Sequence, residues 1–277
     1  MSRYVSYINS SGEEYTFTNI LGLSGFDAGD ANIISSSSSG QDGAVYISTY
    51  LRPRQLEIRF DIQTRTNAAL LNRRRTLINM LSSKRGQGRI RYAVQGFDVS
   101  IPCAPIRVFC TEHGSTILSV SARFEASNPY FVDSVSTMFS LQFIKNLLVF
   151  PVTFPCAFGA RTNIGRAQNR GDAPSPVIIR FYGGAENPSF FNHTTNEKIQ
   201  INGTIPSSSV LEINTAFGIK SVRLITGDQS VNAFSMLDTS SVLWSLIPGI
   251  NEIEYIATSD NNDTTGEIMY NNMYTGV

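Results

Sequence analysis

Glu252 and Glu254 are the first residues in this chain that look able to share acid–base work. They alternate with apolar neighbours between Ile250 and Ala257, so both point to one face of a strand. Hydrolysis by paired carboxyl groups needs them to converge across a cleft, whereas adjacent acids on an outward strand face are ordinarily just solvated. Glu13-Glu14 reads as a turn. Cys110 and His113 stand three residues apart, too close along a strand for the dyad that a fold assembles from separate segments. There is no Gly-x-Ser-x-Gly elbow. Gly86-Gln87-Gly88 lacks the third glycine of a dinucleotide site and the lysine of a phosphate loop. Cys103, Cys110 and Cys156 include no C-x-x-C pair, and His113 and His193 are eighty residues apart, so neither a disulfide framework nor a zinc site is expected. Arg170-Gly171-Asp172 falls at an expected turn. Asn202-Gly203-Thr204 is a glycosylation sequon, idle in a chain that is not secreted. The expectation is no catalytic residue, no bound metal and no cofactor.

The basic residues carry more. Residues 62–97 hold eight cations (Arg65, Arg73, Arg74, Arg75, Lys84, Arg85, Arg89 and Arg91) and no acid. Arginines in such a stretch can neutralise phosphates. Only Tyr92 and Phe97 stand nearby as stacking aromatics, a thin set for holding a single strand. The equally natural use of Arg73, Arg74 and Arg75 is an oligomer or partner contact with acids supplied from elsewhere.

These residues need a frame, and the sequence predicts a mainly β one. Arg54 to Asp61 alternates strictly, with Leu56, Ile58 and Phe60 on one face. Leu118, Val120, Ala122, Phe124 and Ala126 repeat the period of two. Between these strands sits one helix, at about 67–82, capped by Asn67, with Leu70, Leu71, Leu77, Ile78 and Leu81 near one stripe. The Gly- and Ser-rich residues 24–43 read as a flexible loop or extended arm, mobile in an isolated subunit and ordered only against a neighbour. From Pro176 onward short β runs recur about every ten residues, with turn signals at Gly183-Gly184, Asn202-Gly203, Gly227-Asp228 and Pro248-Gly249. That spacing predicts an antiparallel sandwich. The expected domains are 1–140 and 169–277, joined by a connection at 141–168.

Composition fits such a frame. Hydrophobic residues make up 42% and charged residues 16%, which suggests that much of the surface is covered in an assembly. Residues 1–170 hold 18 Lys/Arg against 11 Asp/Glu, net +7, while 171–277 hold 4 against 11, net −7, so the two halves are expected to meet different neighbours. With no run of eighteen apolar residues and no apolar leader at Met1-Ser2-Arg3-Tyr4, a soluble chain made in a cytoplasm, with no membrane insertion, is expected.

Several short motifs, in order along the chain, resemble one family. Gly88-Arg89-Ile90-Arg91-Tyr92 is similar to that family's strand after the helix, and Ala126-Ser127-Asn128-Pro129-Tyr130-Phe131 to the end of its N-terminal domain. Asn169-Arg170-Gly171-Asp172 followed by Pro176 resembles the start of its C-terminal domain. Thr194 to Ile199, Leu211 to Thr215, Asp238 to Ser241 before Trp244, and Pro248 to Ile253 continue the match, which runs across most of residues 50–257. The chain resembles the distal tail proteins (Dit) of tailed bacteriophages.

That resemblance implies an N-terminal β-barrel or sandwich domain with one α-helix, assembling as a hexameric ring, and a C-terminal galectin-like antiparallel β-sandwich projecting outward. The ring would join the tail tube protein to a tail-associated lysin or hub protein and to receptor-binding or fibre proteins, with DNA only in passage. The place implied is the virion tail, assembled in the host cytoplasm. Two other readings stay open from the residues. One is a carbohydrate-binding module stacking sugar on Trp244 and Tyr255. The other is a nucleic-acid-binding protein using the 65–91 stretch.

Overall fold

The computed structural model describes residues 3–143, 163–257 and 264–277. The chain forms two compact units, one of Met1–Ser134 with Tyr274–Val277, the other of Val135–Met273.

The first unit contains β1 (Tyr4–Ile8), β2 (Glu14–Thr16), β3 (Ile20–Ser24), β4 (Ala31–Ser36), β5 (Val45–Leu51), β6 (Arg54–Gln63), α1 (Asn67–Met80), β7 (Gly88–Val94), β8 (Phe97–His113), β9 (Ile117–Ala126) and β10 (Phe131–Asp133). One antiparallel sheet runs β2-β1-β7-β8-β9-β6-β3, with β10 beside β8. Its two edge strands, β2 and β3, are joined by only Phe17, Thr18 and Asn19. The amide of Phe17 donates to Val5 O at 2.9 Å and the amide of Asp61 to Asn19 O at 3.2 Å, so the sheet curls until its edges meet. The curled sheet is barrel-like, its two ends joined through Phe17, Thr18 and Asn19 rather than by pairing of β2 with β3. Strict alternation on β6 and β9 fills its interior with Leu56, Ile58, Phe60, Leu118, Val120 and Phe124, all buried. The 17-residue β8 pairs with β7 through its first half and β9 through its second. It changes partners between Cys103 and Ala104, just before a register shift between Pro105 and Arg107 in its pairing with β9.

Helix α1 begins at Asn67, where it was expected, but its cap lies one residue earlier. Thr66, in extended conformation, accepts a hydrogen bond from the Ala69 amide at 3.3 Å and is the N-cap in place of Asn67. Leu70, Leu77 and Leu81 enter the core. Leu71 and Ile78, expected on that same stripe, lie instead on the exposed side. Each follows a buried leucine by one residue, about 100° around the helix.

The segment read as a loop or arm is a ribbon. β4 and β5 pair as a separate two-stranded sheet, Asn32 opposite Tyr50, Ile34 opposite Ser48 and Ser36 opposite Val45, with a bulge between Ile34 and Ser35. The β-branched Ile33, Ile34, Val45, Ile47 and Thr49 supply the strand preference that Ser35 to Ser39 conceal. At its root Gly25 has φ +79°, and a Cβ there would stand 1.9 Å from Gln55 O, so only glycine fits.

The second unit contains β11 (Thr137–Phe143), β12 (Ile164–Asn169), β13 (Ser175–Tyr182), β14 (Ser189–Asn192), β15 (Glu197–Gln200), β16 (Ser209–Asn214), β17 (Ser221–Thr226), β18 (Gln229–Asn232), β19 (Ser245–Leu246), β20 (Gly249–Ile256) and β21 (Thr264–Tyr270). Two antiparallel sheets, β11-β21-β13-β16-β17-β18 and β12-β20-β14-β15, make a sandwich. Rings from both sheets meet in its core: Phe181 lies 5.2 Å from Phe190, and Phe190 lies 5.1 Å from Tyr255. Gly266 leaves room for them, since a Cβ there would sit 2.5 Å from Phe190 Cζ.

The boundaries differ from those expected. The first unit ends at Ser134 rather than 140, because β11 pairs along its length with β21 of the sandwich. The connection expected at 141–168 gives up both ends to sandwich strands, β11 and β12. The rest of it, 144–162, lies outside the described residues. Tyr274–Val277 belong to the first unit, not the second.

Candidate functional site

The residues with chemical potential are spoken for one by one. Glu254 accepts from Asn163 Nδ2 at 2.9 Å and lies 2.9 Å from His193 Nε2, while Glu252 lies 3.9 Å from Arg166. The two acids stand side by side on the outer face of β20 and converge on no cleft. Cys110 has its thiol pushed up by burial, the reverse of what a nucleophile needs, and burial raises the Cys103 thiol to about 12. Among the described residues, no three His, Cys, Asp or Glu side chains gather as a metal site.

The basic stretch is partly neutralised within the fold. Arg74 is bound to Glu112 at 2.5 Å and Arg85 to Glu13 at 2.6 Å. Arg91 grips Asp98 with two parallel bonds of 2.9 and 2.5 Å. The hydrogen bonds from Arg91 are the main reason the Asp98 carboxyl sits below its ordinary range. Such pairing removes three of eight cations from any phosphate-binding track. Arg73 and Arg75 remain exposed on α1, without a carboxylate partner among the described residues.

The sugar-stacking pair is buried. Trp244 and Tyr255 belong to the sandwich core and offer no face to a ligand. At the barrel seam, a groove of about 600 Å³ is lined by Tyr4, Phe17, Asn19 and Tyr92, with the Arg3 guanidinium 5.9 Å from the centre of the Tyr92 ring. It holds no pair of groups suited to acid–base or nucleophilic work.

What stands out is apolar surface. The ribbon exposes Ile33, Ile34, Val45, Tyr46, Ile47 and Tyr50, with Val45 71% exposed. By register, Tyr50, Ile34 and Val45 share one face and Ile33 and Tyr46 the other. An isolated two-stranded ribbon is marginal in water, and one apolar on both faces more so. Leu71 and Ile78 add a second patch on α1, 51% and 50% exposed. Sequence reading named the neighbouring arginines but missed both patches. Their signal, β-branched residues flanking the serine tract and two apolar residues beyond the helix's core stripe, was present.

Comparison with known proteins follows the two units. The family described as a siphovirus-type tail component, C-terminal domain, matches residues 170–274. A phage tail protein RIFT-related domain family matches residues 10–119. The crystal structure of SPP1 Dit (gp 19.1), described as a paradigm of hub adsorption apparatus in Gram-positive infecting phages, superposes with a TM-score of 0.72 at 14% identity, covering 99% of each chain. The phage P2 baseplate in its activated conformation with Ca superposes at 0.59 with 15% identity, and the form with Sr at 0.59 with 14%, each covering all of both chains. At these identities the likeness establishes the fold. No curated protein matches the sequence.

Proposed function

The chain belongs to the distal tail protein family, a structural rather than catalytic component of the phage tail hub, and from that premise we propose that six copies close into a ring through the first unit. The observation that carries this reading is the β4–β5 ribbon, whose apolar side chains Ile33, Ile34, Val45, Tyr46, Ile47 and Tyr50 are exposed among the described residues. Covering them on a neighbour converts a liability into an interface. A ring also needs a contact between two different surfaces, so that each copy both gives and receives.

In this reading the ring sits below the tail tube protein and anchors a tail-associated lysin or hub protein and the receptor-binding or fibre proteins. The second unit carries 4 Lys/Arg against 11 Asp/Glu between 171 and 277, and it turns outward to those partners. DNA passes through the opening without being held. The assembly forms in the host cytoplasm and ends in the virion tail. Arg73, Arg74 and Arg75 lie at or beside the contact between copies.

Electron microscopy of the purified chain tests the reading. Class averages with six-fold symmetry and a central opening support it. Single particles of one chain across the concentration range contradict it. The carbohydrate reading is weakened by the burial of Trp244 and Tyr255, and the nucleic-acid reading by the internal pairing of Arg74, Arg85 and Arg91.

A further inference from the structure

The Asn202-Gly203 pair carries chemistry besides its idle sequon. Asn202 is the only asparagine in the chain that is followed by glycine. In such a pair the backbone nitrogen of the glycine can attack the asparagine side chain, because no Cβ hinders the approach. A base takes the Gly203 N–H proton and the nitrogen bonds to Asn202 Cγ. The bond from Cγ to the side-chain nitrogen breaks, ammonia leaves, and a five-membered succinimide remains. Water then opens either ring carbonyl and leaves an aspartate or an isoaspartate.

Asn202 and Gly203 are both exposed, so water and hydroxide reach the pair. Burial offers no protection, and hydrogen bonding takes its place. The Gly203 amide donates to Asn187 Oδ1 at 2.8 Å, and the Asn187 amide donates to Gly203 O at 2.9 Å. One asparagine thus holds the attacking nitrogen and the carbonyl of the same glycine. An N–H engaged with an oxygen gives up its proton less readily, since the bare nitrogen would face that oxygen's lone pairs. The side chain under attack is held too. Asn202 Nδ2 donates to Asp238 Oδ2 at 3.0 Å, and Asn202 Oδ1 accepts from Gln200 Nε2 at 3.4 Å. The Ile201 amide donates to Pro188 O and the Ile205 amide to Ala185 O, both at 2.9 Å, and both isoleucines are buried. Ring closure requires Asn202 to leave Asp238 and Gly203 to leave Asn187, so the segment must open first.

We infer that Asn202 is a deamidation site, held unreactive in the folded chain by Asn187 and released when residues 201–205 open. Conversion is one-way. It removes the donor to Asp238 and sets a second carboxylate against it, and like charges that close repel. A converted copy therefore closes the segment less well than before. The site is a permanent chemical record of opening in the second unit, and it involves no contact between copies.

Peptide mass spectrometry of the full-length chain tests it, on samples held at mildly alkaline pH and digested at intervals. The same chain unfolded in urea gives the unprotected rate. In the folded chain Asn202 is expected to convert at least about tenfold more slowly, a comparison that needs no variant. Asn187→Gly suits the local φ of +45°, keeps the backbone bond to Gly203 O and removes the acceptor. It should speed conversion by about fivefold, the factor to which one lost hydrogen bond corresponds. Asn187→Asp keeps an oxygen in place and should stay near the unaltered rate. Rates are compared at a temperature where fluorescence of the buried Trp244 shows every chain folded. Conversion as fast in the folded chain as in urea overturns the inference. So does an Asn187→Gly rate equal to that of the unaltered chain, or an equal gain in both Asn187 variants.

Discussion

Arg54 and Thr275, 221 residues apart in sequence, are joined by a hydrogen bond from the guanidinium Nη2 to the Thr275 carbonyl. The same guanidinium donates to Pro129 O at 2.8 Å, Gly25 O at 2.9 Å and Asp27 O at 2.6 Å, and it lies 5.1 Å from the Phe131 ring centre. Only 3% of Arg54 is exposed. One side chain thus ties together the root of the ribbon, the end of the barrel and the last residues of the chain. The Val277 amide donates to Phe26 O at 2.8 Å and reinforces the same joint. The fixed fork of an arginine reaches four carbonyls that no other side chain could satisfy together.

Replacing Arg54 by Met should therefore cost the first unit roughly 2–5 kcal/mol, because four part-buried carbonyls lose their donor at once and the buried arginine stem loses its packing. Lysine should not rescue it, having a charge but no fork. Urea unfolding of the full chain, followed by far-UV circular dichroism, gives the comparison. Stability within 1 kcal/mol of the unaltered protein for both variants would show that the joint is ornamental.

Domain dissection follows the pairing of β11 with β21 rather than the sequence boundary. A fragment of residues 135–273 should fold and melt cooperatively. A fragment starting at 169 lacks β11 and β12 and leaves β20 and β21 with open edges. It also loses Leu141 from the core, a change worth about 2–5 kcal/mol by itself. Trp244 is the only tryptophan and is buried in this unit, so its fluorescence reports both melts. Equal stability of the two fragments would contradict the observed boundary.

Stability should be flat near neutral pH and fall on both sides. Hydrogen bonds from Arg91 hold Asp98 below the usual carboxylate range, and bonds from Ser240 and Asn202 pull Asp238 down to about 2. A carboxyl depressed in the folded state contributes fully above its unfolded value of about 4. That contribution is lost as pH falls through the folded values. Burial raises the Tyr7 hydroxyl to about 12. Its contribution is complete below about pH 10 and is lost as pH climbs towards 12. Asp98→Asn should flatten part of the acid limb of a urea-midpoint series. A maximum near pH 3 would contradict the assignment.

Local pattern made much of the barrel readable and left its joints hidden. Leu56, Ile58 and Phe60, and Leu118 to Phe124, alternate so strictly that β6 and β9 follow from period alone, and the recurring turns announce the sandwich. The ribbon was obscured because Ser35 to Ser39 dominate the composition, although Ile33-Ile34 and Val45-Tyr46-Ile47 flank them. β11 was missed as a sandwich strand because its partner β21 lies more than a hundred residues later, and pairing at that separation leaves no local mark. Arg54 looked like an ordinary strand residue, since nothing nearby says that its acceptors come from Gly25, Asp27, Pro129 and Thr275. On α1, Arg73, Arg74 and Arg75 were legible as a basic cluster. That Arg74 is internally paired while Leu71 and Ile78 face outward depends on how α1 is rotated against β6 and β8.

The central claim is that this chain assembles through an apolar ribbon, and native mass spectrometry of the full-length chain beside an Ile33→Ser, Tyr46→Ser, Ile47→Ser variant tests it most directly. The account predicts six times the 30.5 kDa chain mass for the unaltered protein and a folded monomer for the variant. A monomer for the unaltered protein, or the same assembly in both, would contradict it.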